Sequence, residues 1–178
     1  MNNLKYWFDN VLKQDLIYKM NIGNSFNIPQ VDKISLNINL KSAIEKPKTI
    51  VYAATILKII TNQKPIICRA KKSISVFKIR KGMVIGCKVS LRKKIAFDFL
   101  STFILLSLGK IKNLKVCKVN NTGGLSIGIE NLFIFPQLLS DYEKFPKSIS
   151  SIINIKLLKS NPIMSKLVFS GLQIPIHK

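Results

Sequence analysis

Apolar and polar residues alternate along four stretches of the chain, residues 31–40, 84–92, 123–130 and 152–158. Successive side chains of a strand point to opposite faces of a sheet, so each stretch has one apolar and one polar face. A shorter strand is predicted at residues 65–71. Because antiparallel sheets commonly bury one face only, this pattern predicts an antiparallel or mixed sheet that is open on one side.

Other stretches carry apolar residues every three or four positions, which is typical of helices with one buried face. They are residues 3–20, 47–61 and 95–108, with a short final helix from Pro162 to about Gly171 that Asn161 caps. Pro47 suits the first turn of the second helix and Asn62 its end. The residues predicted to face inward are Leu4, Phe8, Val11, Leu12 and Leu16, then Ile50, Ala53, Ala54, Leu57 and Ile60, then Phe99, Leu100 and Phe103.

The intermixed helices and strands predict an α+β fold with the helices on one face of the sheet. No repeat or linker divides the chain, so we expect a single domain over residues 1–178. It would comprise an N-terminal helix at residues 3–20 and a core at residues 29–178, with a protruding basic loop at about residues 72–84.

The most unusual stretch of the sequence is residues 63–94, which is strongly basic. No carboxylate occurs between Glu45 and Asp98. Unpaired positive charge on this scale destabilises a compact protein by self-repulsion, so an external anion is expected to complete it. Two predicted strands, at residues 31–40 and 84–92, also have polar and basic outer faces, which favours a sheet that faces RNA or DNA.

Composition supports a folded protein with a basic surface. The chain has 178 residues, a formal net charge of +21 and a hydrophobic fraction of 47%, whereas disordered chains combine high charge with low hydrophobicity. Nucleic acid is the leading partner for such a surface, because phosphate contacts release counterions. The alternative is a basic scaffold or a peripheral protein on an anionic membrane surface, without specific RNA. Residues 3–20 with Trp7 fit a lipid-binding amphipathic helix weakly.

The sequence offers little for catalysis or metal binding. Cys68, Cys87 and Cys117 form no CxxC motif, and the only histidine is His177, so neither a zinc site nor a disulfide framework is expected. Without another histidine, the common Ser–His and Cys–His nucleophiles are excluded. We therefore expect no enzyme, no cofactor and no metal, and three reduced thiols.

No targeting segment or membrane span is predicted. Residues 1–20 contain Asp9 and Asp15 and no Arg, unlike a presequence, and the longest apolar run, residues 99–108, is about half the length of a membrane span. The abundance of Lys, Ile and Asn indicates an A/T-rich genome.

Three segments resemble a known family in the same order along the chain. The stretch QKPIICRAKKSISVFKIRKGMVIGCKVSLR closely resembles the signature of the large-subunit ribosomal protein L5 family, whose members bind 5S ribosomal RNA. PQVDKISLNINL resembles the first strand of the family, and GGLSIGIENLFIFP resembles a later Gly-Ser-Gly segment. The resemblance covers nearly the whole chain from about Tyr6, and its C-terminal third is looser.

The resemblance implies a curved antiparallel sheet and a structural role in the central protuberance of the large ribosomal subunit. The expected partners are 5S rRNA, neighbouring large-subunit rRNA, the P-site tRNA and adjacent ribosomal proteins, including a small-subunit protein across the interface. The residues expected to bind 5S rRNA are Lys33, Asn37, Asn39, Arg69, Lys71, Lys72, Lys88, Ser90 and Arg92. The loop residues expected to approach the tRNA are Ser73, Ser75, Phe77, Lys78, Arg80 and Lys81.

The role of one loop residue is open, and one turn departs from the family pattern. Phe77 is interpreted either as a hydrophobic anchor for the loop, which is slightly favoured, or as a stacking platform for a base. Where bacterial members have an Asp-Gly-Arg-Gly-Asn-Tyr stretch, this chain has Asn120 to Leu125 without the Arg and Tyr. The composition and the lack of a presequence predict an organelle-encoded protein of the mitochondrial matrix, with a plastid or an A/T-rich bacterium as alternatives.

Overall fold

The computed structural model describes residues 3–40, 48–111, 119–145 and 149–176. Pro47, Cys117, His177 and most of the segment at residues 110–121 lie outside this part of the chain, so the predictions made for them are not addressed. Among the described residues, the strands are β1 Gln30–Asn39, β2 Ile66–Arg69, β3 Val84–Arg92, β4 Leu125–Ile129 and β5 Ser151–Leu158. They form an open antiparallel sheet in the order β2-β3-β1-β5-β4.

The α-helices are α1 Asn3–Trp7, α2 Lys13–Met20, α3 Lys48–Thr61, α4 Lys93–Thr102 and α5 Pro162–Gly171. A π-helical segment, Phe8–Leu12, joins α1 to α2, and another, Phe103–Ser107, extends α4. Short 3-10 turns lie at Ser25–Asn27, Ser75–Phe77, Leu108–Lys110, Leu132–Ile134 and Pro136–Lys144. Strands and helices together confirm the α+β class.

The alternation of the strands is confirmed by their burial. Ile34, Leu36 and Ile38 of β1 are fully buried, and the intervening residues are half-buried or exposed. Every second residue of β4 and of β5 is buried in the same way. In β3, Gly86, Cys87, Val89 and Leu91 are buried and Ile85 is only half-buried, so the simple alternation breaks at the start of the strand.

The chain forms two compact units. Unit 1 comprises residues 1–34, 91–127 and 154–178, and unit 2 comprises residues 35–90 and 128–153. In unit 1, the rings of Phe8 and Phe97 are 5.5 Å apart, which joins the N-terminal helix to α4. In unit 2, the thiol of Cys87 lies 3.9 Å from the Ile50 carbonyl oxygen, which joins β3 to α3.

The inward face of the N-terminal helix was only partly predicted. Phe8, Leu12 and Leu16 are buried as expected, whereas Leu4 is half-buried and Val11 is 50% exposed. The π-helical turn has a wider repeat than an α-helical turn, so it changes which residues face inward. The buried residues follow a spacing of four through this segment, and Val11 is turned towards solvent.

The other helix predictions are mostly confirmed. In α3, Ala53, Leu57 and Ile60 are buried, as is the unpredicted Ile56, while Ile50 and Ala54 are half-buried. In and after α4, Phe99, Leu100 and Phe103 are all buried.

The helix ends follow different rules. Asn62 ends α3 in a left-handed conformation (φ 53°) and its amide donates to the Lys58 carbonyl oxygen, as a C-terminal cap does. Asn161 occupies the N-cap position of α5, but its side chain makes no capping hydrogen bond. The predicted cap is therefore wrong for the side chain, and Asn161 contributes through its carbonyl oxygen, which accepts from the Ser165 amide and hydroxyl.

Candidate nucleic-acid interface

The polar sides of β1 and β3 lie together in unit 2. The Leu40 amide donates to the Ile85 carbonyl oxygen (3.1 Å), which places the end of β1 beside the start of β3. A Cβ built on Gly86 would lie 3.3 Å from Asn39 Oδ1, so the Asn39 side chain lies on the Gly86 side of the sheet. Alternation then adds Asn37, Lys88 and Ser90 to that side.

We call this surface the polar face and define it as Asn37, Asn39, Lys88 and Ser90. Asn39 and Lys88 are exposed, and Asn37 and Ser90 are half-buried. The face offers amide, hydroxyl and ammonium groups, which can bind the phosphates, sugars and base edges of RNA. Lys33 and Arg92 follow the same alternation along β1 and β3, but they belong to unit 1.

The edge strand β2 borders the polar face. Ile66 lies opposite Lys88 and Cys68 opposite Gly86, so Ile66 and Cys68 border the polar face. The pairing then shifts, and Arg69 lies opposite Val84. Because consecutive strand residues alternate, Arg69 leaves β2 from the side opposite to Cys68. The structure therefore does not group Arg69 with Lys88 and Ser90.

A structured hairpin follows β2. We call residues 70–83 the basic hairpin. The amides of Ile74 and Ile79 each donate to the other's carbonyl oxygen, at 2.9 and 3.1 Å. At the base, the Ala70 amide donates to the Met83 carbonyl oxygen and the Ala70 carbonyl oxygen accepts from the Gly82 amide. Ser73 Oγ accepts from the Lys81 amide at 2.9 Å. These bonds give the backbone of the hairpin a defined conformation, and its side chains project into solvent.

The tip of the basic hairpin combines apolar and cationic side chains in solvent. Val76 is 83% exposed and Phe77 is 62% exposed, and Lys78 adopts a left-handed conformation (φ 54°) at the end of the turn. The side chain of Phe77 is therefore not buried against the protein. This exposure disfavours the anchoring interpretation and favours contact with another molecule. The other predicted loop residues, Ser73, Ser75, Lys78, Arg80 and Lys81, are all exposed, as are Lys71 and Lys72.

Four ion pairs are seen among the described residues, and they leave out the cations of the polar face and the basic hairpin. They join Lys13 to Asp9, Lys19 to Asp15, Lys144 to Asp141 and Lys156 to Asp32. The cations of the polar face and the basic hairpin are thus available to an anionic partner.

The thiols near the polar face differ in environment. Cys87 is a buried residue of β3. Burial raises the pKa of its thiol above the ordinary value, and the neighbouring Cys68 makes a smaller contribution in the same direction. Cys68 is half-buried at the border of the polar face. Both are free thiols, and the described residues contain no cluster of His, Cys, Asp or Glu that could hold a metal ion.

The turn at residues 120–125 has a structural explanation. The Asn120 amide donates to the Gly124 carbonyl oxygen and the Gly123 amide to the Asn120 carbonyl oxygen, which closes a tight turn before β4. Gly123 has φ 74°, and a Cβ there would collide with the hydroxyl groups of Ser160 and Ser165. Glycine therefore fits this position without strain, whereas a residue with a side chain would be strained there.

Comparisons with known proteins agree with this geometry. The family model described as ribosomal protein L5 matches residues 24–80, and the model described as the C-terminus of the same ribosomal protein family matches residues 84–176. The chain is 40% identical over 181 residues to a protein of Reclinomonas americana named large ribosomal subunit protein uL5m, and the match covers 100% of both chains. No helix among the described residues is long and apolar enough to cross a membrane.

Proposed function

The chain belongs to the ribosomal protein L5 family, whose members are structural and non-catalytic parts of the large ribosomal subunit, and we propose that it binds 5S rRNA there through its polar face. The observation that supports this most is the grouping of Asn37, Asn39, Lys88 and Ser90 on one side of adjacent strands, beside the exposed cations of the basic hairpin. In this role, phosphate contacts by Lys88 position the protein, and the amides and the hydroxyl recognise local RNA shape.

We further propose that the basic hairpin reaches the P-site tRNA and a small-subunit protein. Its internal hydrogen bonds preorganise the tip, and Phe77 and Val76 are exposed while Lys78 and Arg80 add charge beside them. An exposed ring flanked by cations suits stacking on a base or sugar of a structured RNA. The similarity to a mitochondrial large-subunit protein supports a place in a mitochondrial ribosome. That the gene lies in the organelle is part of the same proposal.

Charge reversal along β3 tests the RNA-binding proposal. Lys88→Glu changes the polar face itself, and Arg92→Glu changes the exposed cation at the end of β3, which belongs to unit 1. We expect this variant to lose 5S rRNA binding while its circular dichroism spectrum is unchanged, because both side chains are outside the core. The matched control is Lys48→Glu combined with Lys58→Glu, which makes the same charge change on exposed positions of α3.

The comparison of the two double variants separates a specific site from a general charge effect. If both lose affinity equally, net charge alone drives binding. If the β3 variant binds 5S rRNA as tightly as the wild-type protein, the polar face is not the site. Flotation with anionic liposomes tests the membrane alternative, and we expect the protein to remain unbound.

A further inference from the structure

Phe26 is an exposed aromatic residue on a rigid turn in unit 1. It is 75% exposed, so its ring keeps a face open to solvent. The Asn24 side chain accepts from the Phe26 amide at 2.9 Å, and the Asn27 amide donates to the Asn24 carbonyl oxygen at 3.0 Å. This Asx-type turn fixes the backbone that carries the ring.

Lys159 ties this turn to the end of β5. Its ammonium group donates to the Phe26 carbonyl oxygen at 2.7 Å and lies 5.9 Å from the centre of the Phe26 ring. A lysine ammonium has three donors, so two remain for another acceptor. One exposed residue pair thus presents an aromatic face and a cation from fixed positions.

The backbone of Lys159 adopts a conformation that glycine would adopt without strain. Lys159 has φ 53°, a left-handed conformation that costs strain for a residue with a Cβ. Lys78, Lys93 and Gln173 are left-handed as well, so it is the contacts of Lys159 with Phe26 that indicate the site. Glycine or asparagine would relieve the strain at position 159, but neither would supply the ammonium group.

We propose that Phe26 and Lys159 form a second RNA-binding site, at which an unpaired nucleobase stacks on the Phe26 ring and Lys159 contacts the adjacent phosphate. The ligand is a flipped-out or single-stranded nucleotide of ribosomal RNA, because a stacking ring beside a single cation matches one base and its phosphate. This site lies in unit 1 and uses none of the residues of the polar face or the basic hairpin.

Four variants test the site, with in vitro transcripts of 5S rRNA and of the large-subunit rRNA as the two probes. Phe26→Leu keeps the apolar bulk but removes the ring, and should weaken binding to the transcript that supplies the nucleotide by about 5- to 100-fold. Phe26→Tyr keeps the ring and should bind within about twofold of the wild-type protein. Tyr18→Leu is the control, since Tyr18 is another exposed aromatic residue of unit 1, at 84% exposure.

Lys159→Gly separates the RNA contact from a structural role. Glycine relieves the left-handed strain, so the thermal midpoint should be unchanged or higher. Binding should weaken, and the slope of log K against log salt should fall by about one because one phosphate contact is lost. A Lys159→Gly variant with lower stability and an unchanged salt slope would show that the lysine is structural, and would overturn its role here.

Photo-crosslinking in assembled ribosomes identifies the neighbour of the ring directly. With p-azidophenylalanine at position 26, we expect a crosslink to rRNA. A crosslink to protein alone, or Phe26→Leu binding both transcripts as the wild-type protein does, would overturn the proposal. Because Lys88→Glu with Arg92→Glu reports on the polar face separately, failure of one site is distinguishable from failure of the other.

Discussion

Replacing Gly86 with alanine should destabilise the protein, because the backbone of β1 occupies the space that the new methyl group needs. A Cβ at this position would collide with the Ile38 carbonyl oxygen and would lie 3.3 Å from Asn39 Cα. Both are backbone atoms, so the collision cannot be relieved by rotating a side chain. The strand must shift instead.

The size of the effect follows from this geometry. Overpacking of a well-packed site costs about 1–3 kcal/mol in the free energy of unfolding, and we expect Gly86→Ala to fall in the upper half of that range. With a urea dependence of about 2 kcal/mol per molar for a protein of this size, the unfolding midpoint should fall by about 1 M.

The matched control is Gly128→Ala in β4. No heavy atom lies within 4 Å of a Cβ built at Gly128, so this variant should unfold at the same urea concentration as the wild-type protein or slightly higher. Unfolding is followed by circular dichroism for the three proteins under identical conditions. Equal midpoints for Gly86→Ala and Gly128→Ala would refute the close approach of β1 to Gly86, and with it the placement of Asn39 beside β3.

Three further variants test other parts of the structure. Phe8→Ala removes a buried ring that contacts Phe97 and should cost about 3–5 kcal/mol; a thermal midpoint within about 2 °C of the wild-type value would contradict this packing. Phe77→Ala should change the free energy of unfolding by less than about 0.5 kcal/mol because the ring is exposed, yet it should weaken tRNA binding by assembled ribosomes; normal tRNA binding would argue against a contact at the tip. For Cys87, the raised pKa means that its contribution to stability is present below the pKa of an unfolded thiol, about 8.5, and is lost as the pH rises above it. The stability difference between wild-type protein and Cys87→Ala should therefore shrink on going from neutral to alkaline pH, and a difference independent of pH would contradict the assignment.

The sequence predicted the strands well because alternation directly reports burial on one face. Ile34, Leu36 and Ile38 were all assigned correctly from this pattern alone. Alternation does not report register, however. The shift between Cys68 and Arg69 depends on pairing with β3, so the sequence could not show that Ile66 and Cys68 border the polar face and that Arg69 turns away.

Helix positions were less predictable where the helical repeat changes. The π-helical segment Phe8–Leu12 exposes Val11. Because Val11 is apolar and fits the spacing of an ordinary α-helix, the sequence did not indicate that the helical turn widens there. Nor could sequence spacing show that Lys159 reaches Phe26, because 133 positions separate them along the chain. One signal for Phe77 was present: it lies on a loop, and loops run over the protein surface.

The central claim is that the polar face binds 5S rRNA specifically, and a salt titration of the purified protein against 5S rRNA tests it most directly. An unrelated structured RNA of similar length serves as the competitor. We predict tight binding that survives the competitor and weakens steeply as the salt concentration rises, because several phosphate contacts release counterions. Equal affinity for 5S rRNA and the competitor would contradict the claim, since it would mean that the positive charge of the chain acts without a specific site.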